Sequence, residues 1–431
     1  LAVAMRARNH SHGANDDSRS WWRDGAFWAA AIFAVHPLAT EAVTYVNSRS
    51  VVMASAAMWA SFWLLERARL RTPGRTYRIN GGSTLAMSVL ACGLLAKEMA
   101  VTLPLLVLLC DALLPPRDAS GLALPWRQRW RGAALLTPAL LLVPLLFATL
   151  QSPHTQHIGF DILDPWRHLW TQPIALVRLL GLIVVPFGQN LDHDLPLANG
   201  PLDPHTLLAL AGLGFGLFAS WRLRRSAPLA ALPLVAYLIV MAPTNSIVPF
   251  YDYMCERHVY PGIAVVAIGG GLLLDRLLRP ASIRAGQPAN FAAARMAGTV
   301  ALVVALAALT VVRNQLWQDP VALWREAALL SPDKARPAAQ LGAHLARKQA
   351  LVEARPWLER AVRQAPDVHV WRANLGLLYR LSGDGDAEVA LWQQRVDAQP
   401  QDSAAKTALR RLQMHQVKAR RALQRAAPVQ R

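Results

Sequence analysis

Two stretches of this chain, residues 132–150 (GAALLTPALLLVPLLFATL) and 296–312 (MAGTVALVVALAALTVV), contain no ionisable side chain, and similar runs occupy 205–221, 227–243 and 259–274. A helix needs roughly 17–25 apolar residues to cross the hydrocarbon core of a bilayer, because each adds about 1.5 Å. One such run suits a buried core helix; five in one chain do not. The expected fold class is therefore all-α, a polytopic transmembrane helical bundle, with the lipid bilayer as a partner. Composition agrees, since only 17% of the 431 residues are charged against about 25% in soluble domains.

Lys and Arg exceed Asp and Glu by 45 − 27 = 18. In a soluble protein that excess would point to nucleic acid. Here most of it lies between the apolar runs, at 67–78, 117–131, 222–225 and 276–295, where cytoplasmic retention of positive loops places it. Nucleic acid is not an expected partner. Cys92, Cys110 and Cys255 lack CxxC spacing and read as small apolar filler.

Candidate spans fall near 26–38, 51–65, 84–96, 99–114, 132–150, 205–221, 227–243, 259–278 and 296–313. Basic loops inside put 36–49, 97–98, 151–166 and 244–258 outside. Alternation fails once, between 151–166 and 188–204. The stretch 167–187, which carries Arg167, Pro173 and Arg178, is expected to lie in the interface or re-enter rather than cross; the alternative is that it crosses and 188–204 is an inside loop. Residues 1–24 form a cytoplasmic segment and 25–313 the membrane domain. The chain opens on Leu1 without a signal peptide, an opening expected of a fragment.

After the last span the pattern becomes periodic. Pro332, Pro366 and Pro400 are 34 residues apart, and Trp324, Leu358 and Trp392 keep that spacing, as do Leu341-Gly342 and Leu375-Gly376. A 34-residue period with Leu-Gly in the first helix and Pro after the second is the tetratricopeptide-repeat signature. A short α-solenoid is expected over 314–401, on the extracytoplasmic side, followed by a basic capping helix or tail over 402–431. That tail holds Lys406, Arg410, Arg411, Lys418, Arg420, Arg421, Arg425 and Arg431 and no acid after Asp402.

Four polar constellations sit at expected membrane ends, where ionisable groups are costly and mark cavities. His36-Pro37-Leu38-Ala39-Thr40-Glu41 with Arg49 can bind a polar substrate or cap a broken helix. Lys97-Glu98 can pair with a lipid phosphate or form an exposed turn. Asn190-Leu191-Asp192-His193-Asp194 can ligate a divalent cation, act as acid/base groups or form an Asx-type turn. In 251–260, Glu256, Arg257, His258 and Tyr260 suit a phosphate, since guanidinium offers a bidentate fork; the other reading is an interfacial aromatic anchor. All four fall on the expected outer face, which favours one outward-opening cavity and a lipid-linked substrate. No Gly-rich phosphate loop, Walker sequence or zinc motif occurs, so no cofactor or metal is expected.

HPLATEAVTYVNSR, LLAKEMAVTLPLLVLLCDALL, NLDHD and PTNSIVPFYDYMCERHVYPG, in that order and followed by repeats, resemble the bacterial relatives of the transmembrane and tetratricopeptide-repeat protein O-mannosyltransferases. Those are similar to the glycosyltransferase C superfamily. The resemblance covers nearly the whole chain. It implies a glycosyltransferase C-like bundle in the bacterial inner membrane and transfer of a sugar from a polyprenyl-phosphate carrier to an extracytoplasmic acceptor such as a polypeptide. It carries substrate or lipid-phosphate binding to His36, Glu41, Arg49, Lys97, Glu98, Asp192, Glu256, Arg257 and Tyr260; Asp194 is grouped with its neighbour Asp192. In that superfamily the catalytic base is an acid in the first external loop, and this chain reads as beginning after it. Asp16-Asp17 lie on the expected inner side, so no catalytic residue is assigned. The rival readings are a non-catalytic membrane-anchored repeat scaffold for envelope assembly and a lipid-linked-sugar transporter; the hydropathy carries no inverted repeat for the latter.

Overall fold

The computed structural model describes residues 25–142, 164–246, 252–278 and 289–426. The expected N-terminal segment 1–24, most of the outer loop 151–166, much of the basic loop 276–295 and the end of the 132–150 run lie outside the described residues. What is described is helical, with one isolated bridge between Arg117 and Ala123. The chain divides into two compact units, one of residues 1–189 with 195–315 and one of 190–194 with 316–431.

The first unit contains α1 (Gly25–Ala34), α2 (Thr40–Thr44), α3 (Arg49–Arg71), α4 (Gly81–Ala96), α5 (Leu103–Leu113), α6 (Trp126–Ala134), α7 (Pro165–Val184), α8 (Pro204–Leu223), α9 (Pro228–Met241), α10 (Tyr260–Leu278) and most of α11 (Ala289–Gln318). Among the described residues, three helical stretches, Pro204–Leu223, Glu256–Leu274 and Ala293–Gln318, are long and apolar enough to cross a membrane. A fourth span arises if α1 and Pro37–Thr44, bent by 52°, are one broken crossing. Among the described residues the count is below the sequence expectation: Arg49–Arg71 is 23 residues long but not apolar enough, and other helices end early. At about 1.5 Å per residue, the 16 residues of α4 and 14 of α9 make only about 24 Å and 21 Å, short of a ~30 Å hydrocarbon core. The 132–150 run is interrupted within its described part by a 3-10 turn at Thr137–Leu141, with Pro138 at its start. Residues 165–184 form one helix with Pro173 inside it.

Small residues set the close approaches. A Cβ on Gly271 of α10 would strike the Gly25 carbonyl and come within 2.6 Å of Ala29 N, so α1 lies backbone-to-backbone on α10. Likewise Gly93 of α4 faces Ala57 of α3. Such contacts replace the hydrophobic driving force that lipid tails cannot supply. Where α3 ends, Glu66 receives the Tyr77 hydroxyl at 2.7 Å and the Arg69 guanidinium at 3.1 Å, while Arg69 also donates to the carbonyls of Arg75 and Arg117. That buried cluster ties two of the basic loops together.

The second unit contains α12 (Pro320–Leu330), α13 (Ala335–Arg347), α14 (Leu351–Gln364), α15 (His369–Leu381), α16 (Gly385–Ala398) and α17 (Ser403–Ala426), each packed on the next. Its core is an apolar ladder of Leu341, Leu345, Leu358, Leu375, Leu378 and Leu391. Gly342 leaves room for Leu358, whose Cγ would lie 2.6 Å from an added Cβ. Side chains of later helices reach back to proline carbonyls: Arg360 and Gln364 to Pro332, and Arg372 and Arg395 to Pro366.

Candidate functional site

Three 3-10 turns in the first unit carry the charged motifs: Pro37–Ala39, Glu98–Thr102 and Glu256–Val259. Pro37, Pro104 and Pro261 stand in or just after them, at the first turn of a helix, where a proline's missing N–H and fixed φ cost least. Each break frees main-chain groups and turns side chains out of helical register. His36 shows how this is stabilised. Its Nδ1 accepts from the Leu38 N–H at 3.2 Å, so the proton resides on Nε2, which donates to the Ile183 carbonyl at 2.8 Å. His36 is thus a buried cap holding the bend against α7, the capping alternative of the sequence reading.

The turns at 37–39 and 256–259 pack together and join Glu41 to Arg257. Glu41 is 3% exposed. One of its oxygens takes the Arg257 main-chain N–H at 3.1 Å and the other takes Nη1 at 2.9 Å. Nη2 of Arg257 donates to Asp252 at 3.3 Å, and the Cys255 thiol donates to the same Asp252 oxygen at 3.4 Å. The third turn enters through Lys97, whose Nζ lies 3.3 Å from Nε2 of His258. An ammonium has donors only, so the imidazole nitrogen accepts. Glu256 is buried and receives the Gln189 amide at 3.4 Å. Glu98 has a buried Oε1 with no hydrogen-bond partner among the described residues. Tyr260 packs its ring 5.1 Å from that of Phe33, and Arg49 opens α3 with its side chain exposed.

The structure therefore brings His36, Glu41, Lys97, Glu98, Glu256, Arg257 and Tyr260 onto elements of one compact unit. Asp192 and Asp194 fall in the other. Both oxygens of Asp192 are engaged there, by Lys334 Nζ at 2.7 Å and Arg336 Nε at 2.6 Å, while Ser331 donates to its main-chain carbonyl at 2.6 Å. Asn190 adds a hydrogen bond to Ser331 at 2.8 Å. Asn190–Asp194 thus serves as a clasp on the start of α13. Among the described residues, no group of three or more His, Cys, Asp or Glu is placed to hold a metal.

Sequence reasoning missed Asp252, the second carboxylate on Arg257, although it lies five residues upstream in the same motif. It also missed a polar network formed by His168, Gln172, Asn245 and the Tyr253 carbonyl. The only signal was the four-residue spacing of His168 and Gln172, which places them on one helical face. Burial pushes the His168 imidazole down to about 4, so it is neutral.

Chemically, the cluster offers a guanidinium and an ammonium amid four carboxylates. The two acids on Arg257 are unequal. Glu41 holds the main chain and the fork together from a buried position, whereas Asp252 holds one nitrogen at longer range and is more exposed. No protein-family model, curated protein or solved structure matches this chain.

Proposed function

We propose that the protein is a membrane glycosyltransferase, or part of one, that transfers a sugar from a polyprenyl-phosphate carrier to an extracytoplasmic acceptor. The observation that carries this reading is the convergence of Glu41, Lys97 and Arg257 on three helix breaks at the ends of apolar helices. Arg257 binds the carrier phosphate bidentately after exchanging Asp252 for it. Lys97 adds a second positive charge as the phosphate leaves. Glu41 keeps the guanidinium aimed through its hold on the main chain. No residue of this chain is assigned as general base. The helices of the second unit form a tetratricopeptide array that presents a polypeptide acceptor, a reading supported by the 34-residue period and by the packing of each helix on its successor.

Arg257→Ala in the full-length protein is expected to lower sugar transfer by at least about 100-fold, the order seen when a charge-stabilising donor is lost, with membrane insertion intact. Transfer from radiolabelled polyprenyl-phosphate sugars in reconstituted vesicles measures it, and unchanged transfer removes the assignment. One observation favours a second reading, a non-catalytic membrane-anchored scaffold: the Arg257 fork is already satisfied by two carboxylates, as in a structural lock. That reading predicts no transfer by the wild-type protein and envelope assembly that tolerates Arg257→Ala.

A further inference from the structure

The hydrogen-bond network on α7 has a direction. Asn245 Nδ2 donates to Gln172 Oε1 at 2.7 Å. The other end of the Gln172 amide lies 3.4 Å from the His168 carbonyl and 3.4 Å from the Tyr253 carbonyl. Two carbonyl oxygens facing that atom require it to be the NH2 group, since an oxygen there would have only acceptors around it. The same nitrogen is 3.0 Å from His168 Nε2. His168 Nε2 is therefore an acceptor, and the proton of this neutral imidazole sits on Nδ1.

That Nδ1–H meets no hydrogen-bond partner among the described residues, in a side chain only 1% exposed. Buried donors in native proteins are nearly always satisfied. Nothing else in the network competes for the proton: Thr171, one turn along, already donates to the Arg167 carbonyl at 2.7 Å and accepts from Ala198 N–H at 3.0 Å. The ring packs on Tyr253, centroids 5.3 Å apart, and Tyr253 adjoins Asp252, the carboxylate on Arg257. The loop between them is thus held by the charged cluster on one side and by Gln172 on the other.

We propose that His168 is a specificity-determining residue whose Nδ1–H donates to a hydroxyl oxygen of the sugar on the lipid carrier, with Gln172 and Asn245 as positioning residues that fix the tautomer. A neutral, buried donor suits an uncharged oxygen; the carrier's phosphate is drawn to Arg257. The inference rests on the reading of this unit as a site for lipid-linked sugar.

The test is calorimetric titration of the detergent-solubilised full chain with a short-chain polyprenyl phosphate, with and without a single mannosyl or glucosyl group. His168→Phe keeps the ring and removes the donor; His168→Asn puts an amide N–H where Nδ1 stood. The Phe variant is expected to bind the sugar-bearing carrier about tenfold more weakly and the bare carrier as the wild type does, and the Asn variant to recover most of the loss. Equal weakening toward both carriers, or no change toward either, overturns the role of His168 while leaving the lipid-phosphate site standing. A wild-type protein that binds neither carrier overturns both readings.

Discussion

Arg257 illustrates how a side chain too costly to leave alone in apolar surroundings is made tolerable. Its guanidinium and its own main-chain N–H converge on one buried carboxylate, so the charge, the fork and the backbone turn are satisfied together. Removing one partner of such a pair strands the other. Glu41→Gln and Arg257→Gln are expected to be non-additive, with a coupling of about 0.5–3 kcal/mol, read from thermal unfolding of the single and double variants in micelles. Asp252→Asn, touching one nitrogen at longer range, should be the milder change; a cost equal to that of Glu41→Gln would mean the two carboxylates are not ranked as their geometry implies. Glu41 and Arg257 were legible in the sequence because each is an ion beside an apolar run. Asp252 and His168 were not. Asp252 is one acid among several in a loop, and the importance of His168 comes from atoms contributed by residues about 75 to 85 positions away.

At the scale of the element, the decisive devices are breaks and small residues. The 3-10 turns that gather the charges hold or adjoin prolines at the first turn of a helical stretch, while glycines let backbones touch. Gly271 and Gly270 make a paired test on adjacent residues of α10. A Cβ at Gly271 meets the α1 backbone, whereas one at Gly270 meets only Ile32 Cδ1 at 3.6 Å, an ordinary contact. Gly271→Val should destabilise by about 1–3 kcal/mol, as overpacking does, and Gly270→Ala should stay near wild type in the melting temperature of the purified protein. Equal melting would show that α1 is not seated on α10 in this way. The apolar runs were readable from hydropathy alone. Where each helix stops was less so, because a run such as 227–243 is uniform in composition while its helix, Pro228–Met241, is bounded by main-chain geometry.

For the whole molecule, the charge of the loops makes a statement about sides. Basic loops retained in the cytoplasm would carry residues beyond α11 to the outer face. Gln401→Cys, at an exposed position before α17, should then react with a membrane-impermeant maleimide in right-side-out vesicles above the background of the native cysteines. Reaction only after permeabilisation would reverse the orientation. Residues 190–194 belong with the second unit although more than a hundred residues of the first follow them, a partition that no linear reading of domains 25–313 and 314–401 contained. The sequence by itself determined that the chain is helical, that several of its helices are apolar enough for lipid and that a 34-residue period runs through its last third, because these are periodic properties of neighbouring residues. Only the tertiary structure decided that Glu41 meets Arg257 and that Asp192 instead holds Lys334 and Arg336. Such pairings depend on which helix ends are brought together, and that is settled by packing between segments far apart in the chain.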